Sequence, residues 1–436
     1  MKFFVFICAF TLMVQAYTFS FAENGTLTLQ EAIRIALENN PNYSQTLNQE
    51  KASDARVTQA KSFYLPSVSL QASSGYSNVD TPLIEEETTD SQNIAVTMTQ
   101  RLFDGFESSN LIDEQKALNT SSERQVENVQ ETLGVEVAFN YINILRFKDF
   151  MEKVNENVKV HYDIYEKIKR NVDAGALTKA DLYQVEARLS RAKSTRENIR
   201  RDLIDAQATF KRLAGFDAQG VLEKPELAAS ILTEDLNTFI DDSVQNNPNI
   251  KSLMADRDAS KFSMDASSGK YYPTVDLQLQ RSQGKNLNGI EGSEKRDSAL
   301  ITMNWDLYTG GSDTARVKEK TYQYYEAQDR LEAGVRALEN DIRSTWATRV
   351  SAGYRAEELL AQIDANDKVV QAYQDQFKLS RRTLIDVLDA QNELFVSKIN
   401  YVDAVYSALF SSLRLLQFRG SLLHDIGVYD ANRSGE

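Results

Sequence analysis

The sequence predicts a mainly α-helical chain with a membrane β-barrel portion, internally duplicated, in which long coiled-coil helices carry four strands contributed to a barrel that other chains complete. Three observations lead there: landmarks that recur in order in the second half, four short segments alternating between apolar and polar residues, and helical stretches far longer than globular helices.

The duplication comes first. "ENNPNY" (38–43) returns as "QNNPNI" (245–250), and "FYLPSVSLQ" (63–71) returns as "YYPTVDLQL" (271–279), with Pro41 to Pro248 and Pro66 to Pro273 displaced equally. "TMTQRLFDGFES" (97–108) matches "TMNWDLYTGGSD" (302–313), and "AGALTKADLYQVEARL" (174–189) matches "LSRRTLIDVLDAQNEL" (379–394). The last two pairs share one displacement, two residues shorter than the first. Four landmarks in register make the chain a tandem copy.

Composition narrows the function. The 436 residues are 42% apolar and 26% charged, with net charge −14, so the chain is long enough for more than one domain and is too acidic to favour a nucleic-acid partner. One cysteine, Cys8, and two histidines, His161 and His424, form no metal-ligand cluster or nucleophilic set, and the expectation is no cofactor and no enzyme. Residues 1–22 have Lys2, an apolar stretch, and Ser20 and Ala22 spaced as a small-residue cleavage site, which reads as a secretory signal peptide.

Residues 23–66 form the first ascending helix, expected to run unbroken from about Leu29 to Phe63, and 67–102 hold the first two strands. Val68, Leu70, Ala72 and Tyr76 alternate with Ser69, Gln71, Ser73 and Gly75; Ile94, Val96 and Met98 alternate with Ala95, Thr97 and Thr99. In 273–308, Val275, Leu277 and Leu279, then Ala299, Ile301 and Met303, do the same. Such alternation suits a half-buried soluble sheet, but segments of about ten residues also span an outer membrane when tilted. The stretches "DTPLIEEETTDSQ" and "GKNLNGIEGSEKR" between the strands read as solvent-facing loops. Four strands cannot close a barrel, and lipid does not tolerate an open edge. Two chains would pool eight strands around a packed interior, and three would pool twelve around a wet lumen.

Residues 103–214 comprise a long helix, a hairpin tip and a return helix, and 309–426 repeat them after the ascending helix of 235–272. About 70 residues without proline give roughly 105 Å of helix at about 1.5 Å per residue. Each return helix covers about half that length, and the ascending helix supplies the other half. In the last return helix Leu388, Phe395, Val402, Leu409 and Leu416 recur every seven residues, which means left-handed coiled-coil packing. The Gly- and Pro-bearing stretches 215–234 and 427–436 mark a belt halfway along the rod. A periplasmic coiled-coil protein without a pore would share the rods, but would not need four amphipathic strands between them.

With these parts in place the sequence resembles the TolC family of outer-membrane channel proteins across its mature length. "RRTLIDVLDAQNEL" (381–394) is similar to the family's second hairpin tip, and "LFDG" and "LYTGG" are similar to its exits from the barrel. The resemblance implies a homotrimer with a twelve-stranded barrel in the outer membrane of a Gram-negative bacterium, among outer-membrane lipid. It also implies a helical tunnel through the periplasm, a periplasmic adaptor, and an inner-membrane ABC or RND transporter. It implies that Asp386 and Asp389 project into the tunnel as two acidic rings, whose mutual repulsion raises some of their pKa values. A gate link is expected between Arg382 and Asp181, supplemented by Phe377 where the family's tyrosine stands. Adaptor contact is expected at the tips, through Gly175, Ala176, Leu177 and Thr178 and through Ser380, Arg381 and Thr383. The wording "AGALTKADLYQVEARLSRA" looks closer to type I protein secretion than to drug efflux, with efflux as the alternative.

Overall fold

In the computed structural model residues 26–81, 84–218, 220–225, 235–287 and 290–428 are described; the expected signal peptide, much of the 215–234 linker and all but the start of the C-terminal tail lie outside them. Helices α1 (Leu29–Asn39) and α2 (Pro41–Lys61) lead into strands β1 (Ser67–Thr81) and β2 (Ile84–Phe103), long helix α3 (Glu107–Asp173) and return helix α4 (Lys179–Ala214). The second half repeats this with α5 (Leu236–Asn246), α6 (Pro248–Ser267), β3 (Thr274–Lys285), β4 (Ser293–Asn304), α7 (Ser312–Lys378) and α8 (Leu384–Arg419). A short α9 (Leu422–Asp425) ends the described chain.

The ascending helix is not continuous, contrary to expectation. Asn40 and Asn247 are extended, because a residue preceding proline is pushed out of the helical region, and each accepts a backbone N–H of the following helix while Pro41 or Pro248 starts it. Their amides also donate to the ends of the return helices, Asn40 to Leu213 O at 3.0 Å and Asn247 to Phe418 O at 2.8 Å. These two Asn-Pro breaks thus seat the upper helices on the lower ones.

At 67 residues α3 spans about 100 Å, at about 1.5 Å per residue. It packs against α2 and α6 along its upper part and against α4 and α8 along its lower part, while α7 packs against α6 and α8. The neighbours along the lower half run α7, α8, α3, α4. The belt contains the main core: Ile33, Ala36, Val137, Tyr141, Ile144, Phe210, Leu413 and Leu416 are buried together. Leu27 bridges in parallel to Leu222, and the Tyr141 hydroxyl lies 2.6 Å from Leu27 O and 2.7 Å from Glu223 O.

The four strands form one antiparallel sheet in the order β1-β2-β3-β4, leaving β1 and β4 as its edges. Their lengths correct the loop expectation: β1 and β2 extend to 15 and 20 residues, so most of "DTPLIEEETTDSQ" is strand. "GKNLNGIEGSEKR" likewise contributes the end of β3 and the start of β4. Polar composition does not exclude a strand, because a ladder needs only backbone groups. The register pairs Leu70 with Val96, Met98 with Leu279 and Leu277 with Ile301 on one face, and Ser69 with Thr97 and Asp276 with Thr302 on the other. Arg101 pairs with Asp276 at 3.0 Å on that polar face. Among the described residues no helix is long and apolar enough to cross a membrane.

Candidate functional site at the hairpin tips

The far ends of the rods are two hairpins of one design. At the end of α3, Ala176 N donates to Asn171 O at 2.8 Å and Gly175 N to Val172 O at 3.0 Å; at the end of α7, Arg381 N donates to Gln376 O at 2.8 Å and Ser380 N to Phe377 O at 2.9 Å. Both are Schellman closures, which need one left-handed residue. The first tip supplies Gly175, with φ 77°, and the second supplies Ser380, with φ 59°, a non-glycine where side chains are strained.

Each return helix then opens with a capping box. Thr178 Oγ1 donates to Asp181 at 2.7 Å and Asp181 N donates back to that hydroxyl at 3.3 Å; Thr383 and Asp386 repeat this at 2.8 and 3.3 Å. The hydroxyl and then the backbone N–H of Thr383, with lesser help from Arg382, hold the Asp386 carboxyl below the usual carboxylate range, and Thr178 does the same for Asp181. Within one chain Asp386 is therefore shifted down, because its nearest partners are donors. Asp389, one turn on, is exposed and accepts from Arg188 Nη2 of α4 at 2.7 Å.

Arg382 and Asp181 border one cleft between the tips, with Lys167, Arg170 and Phe377, yet they do not bond to each other. Arg382 Nε donates to Gln376 Oε1 at 3.0 Å, its guanidinium lies 4.2 Å from the Tyr373 ring centre, and its Nη1 is 3.9 Å from Asp386. Asp181 is occupied by Thr178. Phe377 packs with Leu177 against the buried cluster Ile168, Val185, Leu384 and Leu388, which ties the two tips together. Gly175, Ala176, Thr178, Ser380, Arg381 and Thr383 are exposed around it.

The sequence expectations lack Arg188 and Tyr373 and the capping role of Thr178 and Thr383. The T-x-x-D spacing of Thr178 with Asp181 and Thr383 with Asp386 was legible as a capping signature. Arg188 and Tyr373 carried no such signal, because their partners come from other helices or from across a turn.

A family model described as outer membrane efflux protein matches residues 32–216 and 239–421, once per repeat. The outer membrane efflux protein BepC of Brucella suis is 24% identical over 91% of this chain and 86% of its own. The outer membrane protein TolC of Vibrio cholerae is 25% identical over 93% of each chain, and the alkaline protease secretion protein AprF of Pseudomonas aeruginosa is 21% identical over 95% and 87%. Among solved structures, the outer-membrane channel OprN superposes with a TM-score of 0.81 at 16% identity, covering 90% of this chain and 89% of that one.

Proposed function

The chain belongs to the outer membrane efflux protein family, a channel family of the Gram-negative outer membrane, and on that premise we propose that it is the homotrimeric exit duct of a tripartite export system, gated at its periplasmic tips. The observation that carries the trimer is a pair of unfinished edges. β1, α2 and α4 bound one side of the chain and β4 and α7 the other, and α7 buries few residues while exposing Tyr322, Tyr325, Tyr354 and Leu360. An edge on each side fits head-to-tail closure, in which one copy's β4 and α7 meet the next copy's β1, α2 and α4. Three copies give twelve strands with the Ser, Thr and Gln face inward around water.

In that ring the tips of three chains converge. Asp386 and Asp389 supply two tiers of carboxylates that favour cations, and Arg382 of one copy links to Asp181 of the next, a contact that does not form within one chain. A periplasmic adaptor meets the exposed tip residues and an inner-membrane transporter supplies the energy. The cargo is a secreted protein, supported by the wording of the first hairpin and by a relative named for alkaline protease secretion. The relative named as an efflux protein favours small-molecule efflux as the second reading.

The test is reconstitution in planar bilayers. Small single-channel conductance that rises when Arg382 or Asp181 is replaced by alanine supports the gated duct. Deleting Ser67–Leu102 should abolish insertion. A monomer that never enters bilayers, or a conductance indifferent to both substitutions, would refute the duct or its gate respectively. Export of a reporter protein with the cognate transporter, against loss of toxic-compound resistance in a deletion strain, separates the two cargoes.

A further inference from the structure

The β3–β4 hairpin changes character along its apolar face. From the helical side outward the rungs on that face are Val275 with Met303, Leu277 with Ile301 and Leu279 with Ala299; then come Arg281 with Asp297, Gln283 with Lys295 and Lys285 with Ser293. The switch from hydrocarbon to charge is complete within one rung. The opposite face keeps its charges balanced, with Arg296 bonded to Glu294 at 3.0 Å.

Depth can be measured from the roots of the strands. Tyr271, Tyr272, Trp305 and Tyr308 are exposed there, as an interfacial aromatic girdle requires. The nine steps from Tyr272 to Arg281 extend about 30 Å at about 3.3 Å each. A tilt of about 40° reduces this to about 23 Å, close to the roughly 25 Å apolar height of outer-membrane barrels. The helices mark the periplasmic side, so Arg281 falls at the external headgroup level, with Lys295 and Lys285 one and two rungs beyond.

We propose that Arg281, Lys285 and Lys295 form a docking surface for the phosphates of the phosphorylated glycolipid in the external leaflet, an inference that rests on the barrel reading above. On that face of the β3–β4 ladder the three cations stand with one acid, Asp297, whose contact with Arg281 is 3.6 Å long between side chains 72% and 78% exposed. Such a pair exchanges readily for a doubly charged phosphate. The position answers the alternative of a merely solvated charged face: the apolar rungs beneath fix these cations where anionic headgroups lie, and their stems can follow the hydrocarbon while the heads reach the phosphates.

The experiment titrates the full-length protein, purified from outer membranes in mild detergent, with bis-phosphorylated lipid A and with its phosphate-free counterpart, reading bound lipid by native mass spectrometry. Wild type should hold the phosphorylated lipid at least about tenfold more tightly than the triple variant Arg281→Gln, Lys285→Gln, Lys295→Gln. Arg296→Gln, on the opposite face, should match wild type. Equal binding of the two lipids by wild type overturns the proposal without any variant, which covers the case of a triple variant that fails to assemble. Equal binding by wild type and an assembled triple variant overturns it too. Wild type missing from the outer-membrane fraction would instead bring down the barrel reading, and this proposal with it.

Discussion

Arg188 of α4 and Asp389 of α8 meet at 2.7 Å, an ion pair that joins the two halves of the duplication near their tips. Asp389 is 58% exposed, and a wetted pair of this kind contributes at most about 1 kcal/mol. Arg188→Ala should therefore leave the global melting temperature within about 2 °C of wild type. Its effect should be local: α4 loses its hold on α8, and protease nicking at 174–178 accelerates several-fold. Nicking at the wild-type rate would show that the tips are held by the Leu384–Leu388 cluster alone.

The paired capping boxes give a second expectation. Thr178→Ala removes the hydroxyl that bonds Asp181 and should destabilise the start of α4 by about 1 kcal/mol, read as faster amide exchange over the first turn. Asp181 has a folded pKa below its ordinary 3.8, so the cap's stabilisation is complete above pH 3.8 and fades as pH falls through the lowered value. Exchange in wild type, taken relative to the intrinsic rate at each pH, should accelerate on acidification below about pH 4. In the alanine variant that acceleration should be largely lost; retention of the full slope would assign it to other carboxylates.

How far these features were readable depends on their range. Repeats, period two and period seven are local patterns, so the sheet, the long rods and both hairpins could be placed from residues alone. The Asn40-Pro41 and Asn247-Pro248 breaks are visible as words, yet one helix is expected across each, because proline is also compatible with the first turn of a helix. Strand ends differ from expectation where residues 85–92 are polar on both faces. At the tip Asp386 is legible as an acid of the first turn, and the T-x-x-D spacing that makes it a cap partner of Thr383 does not say whether the carboxylate also faces a lumen. The partner of Asp389, Arg188, lies 201 residues away on another element, and no spacing rule reaches that far.

Ser380 holds φ 59° where its repeat counterpart is Gly175. A left-handed conformation costs a non-glycine residue about 1 kcal/mol or more, partly offset because glycine gains freedom in the unfolded chain. Ser380→Gly should thus stabilise the second tip by about 0.5 to 1 kcal/mol, and Gly175→Ala should destabilise the first by a similar or larger amount. Opposite shifts in hydrogen exchange at the two turns would establish the asymmetry. A destabilising Ser380→Gly would mean that the serine side chain makes a compensating contact in the assembly.

His161 is 4% exposed on α3, and its Nδ1 has no partner among the described residues. Burial, and then the nearby Arg188, push its pKa below the ordinary 6.5. With a lowered folded value the neutral ring is favoured, so its contribution is complete above pH 6.5 and is lost as pH falls through the folded pKa. Between pH 7 and pH 5 wild type should lose thermal stability that His161→Phe retains. Identical acid slopes for the two proteins would remove His161 from the balance.

Glu131 has the opposite sign. It is 6% exposed, and its carboxylate accepts the backbone N–H of Leu422 at 3.1 Å and of Leu423 at 3.3 Å, clasping α9 against α3. Burial raises its pKa from 4.5 to about 7, although the two N–H donors work against the rise, while Asp425 and Glu127 add to it. A raised folded value means that its stabilisation is complete below pH 4.5 and is lost as pH climbs through about 7, a change of up to about 3 kcal/mol. Glu131→Gln keeps one carbonyl acceptor and cannot ionise, so it should flatten this slope. The measurement is amide exchange at Leu422 and Leu423 from pH 5 to pH 8, corrected for intrinsic rates. Protection in wild type should fall as pH rises and in the variant should stay level. Because His161 loses stability on acidification and Glu131 on alkalinisation, the double variant should show a flatter stability profile than either single one. A double variant as steep as wild type would mean that neither buried group sets the pH response of the rods.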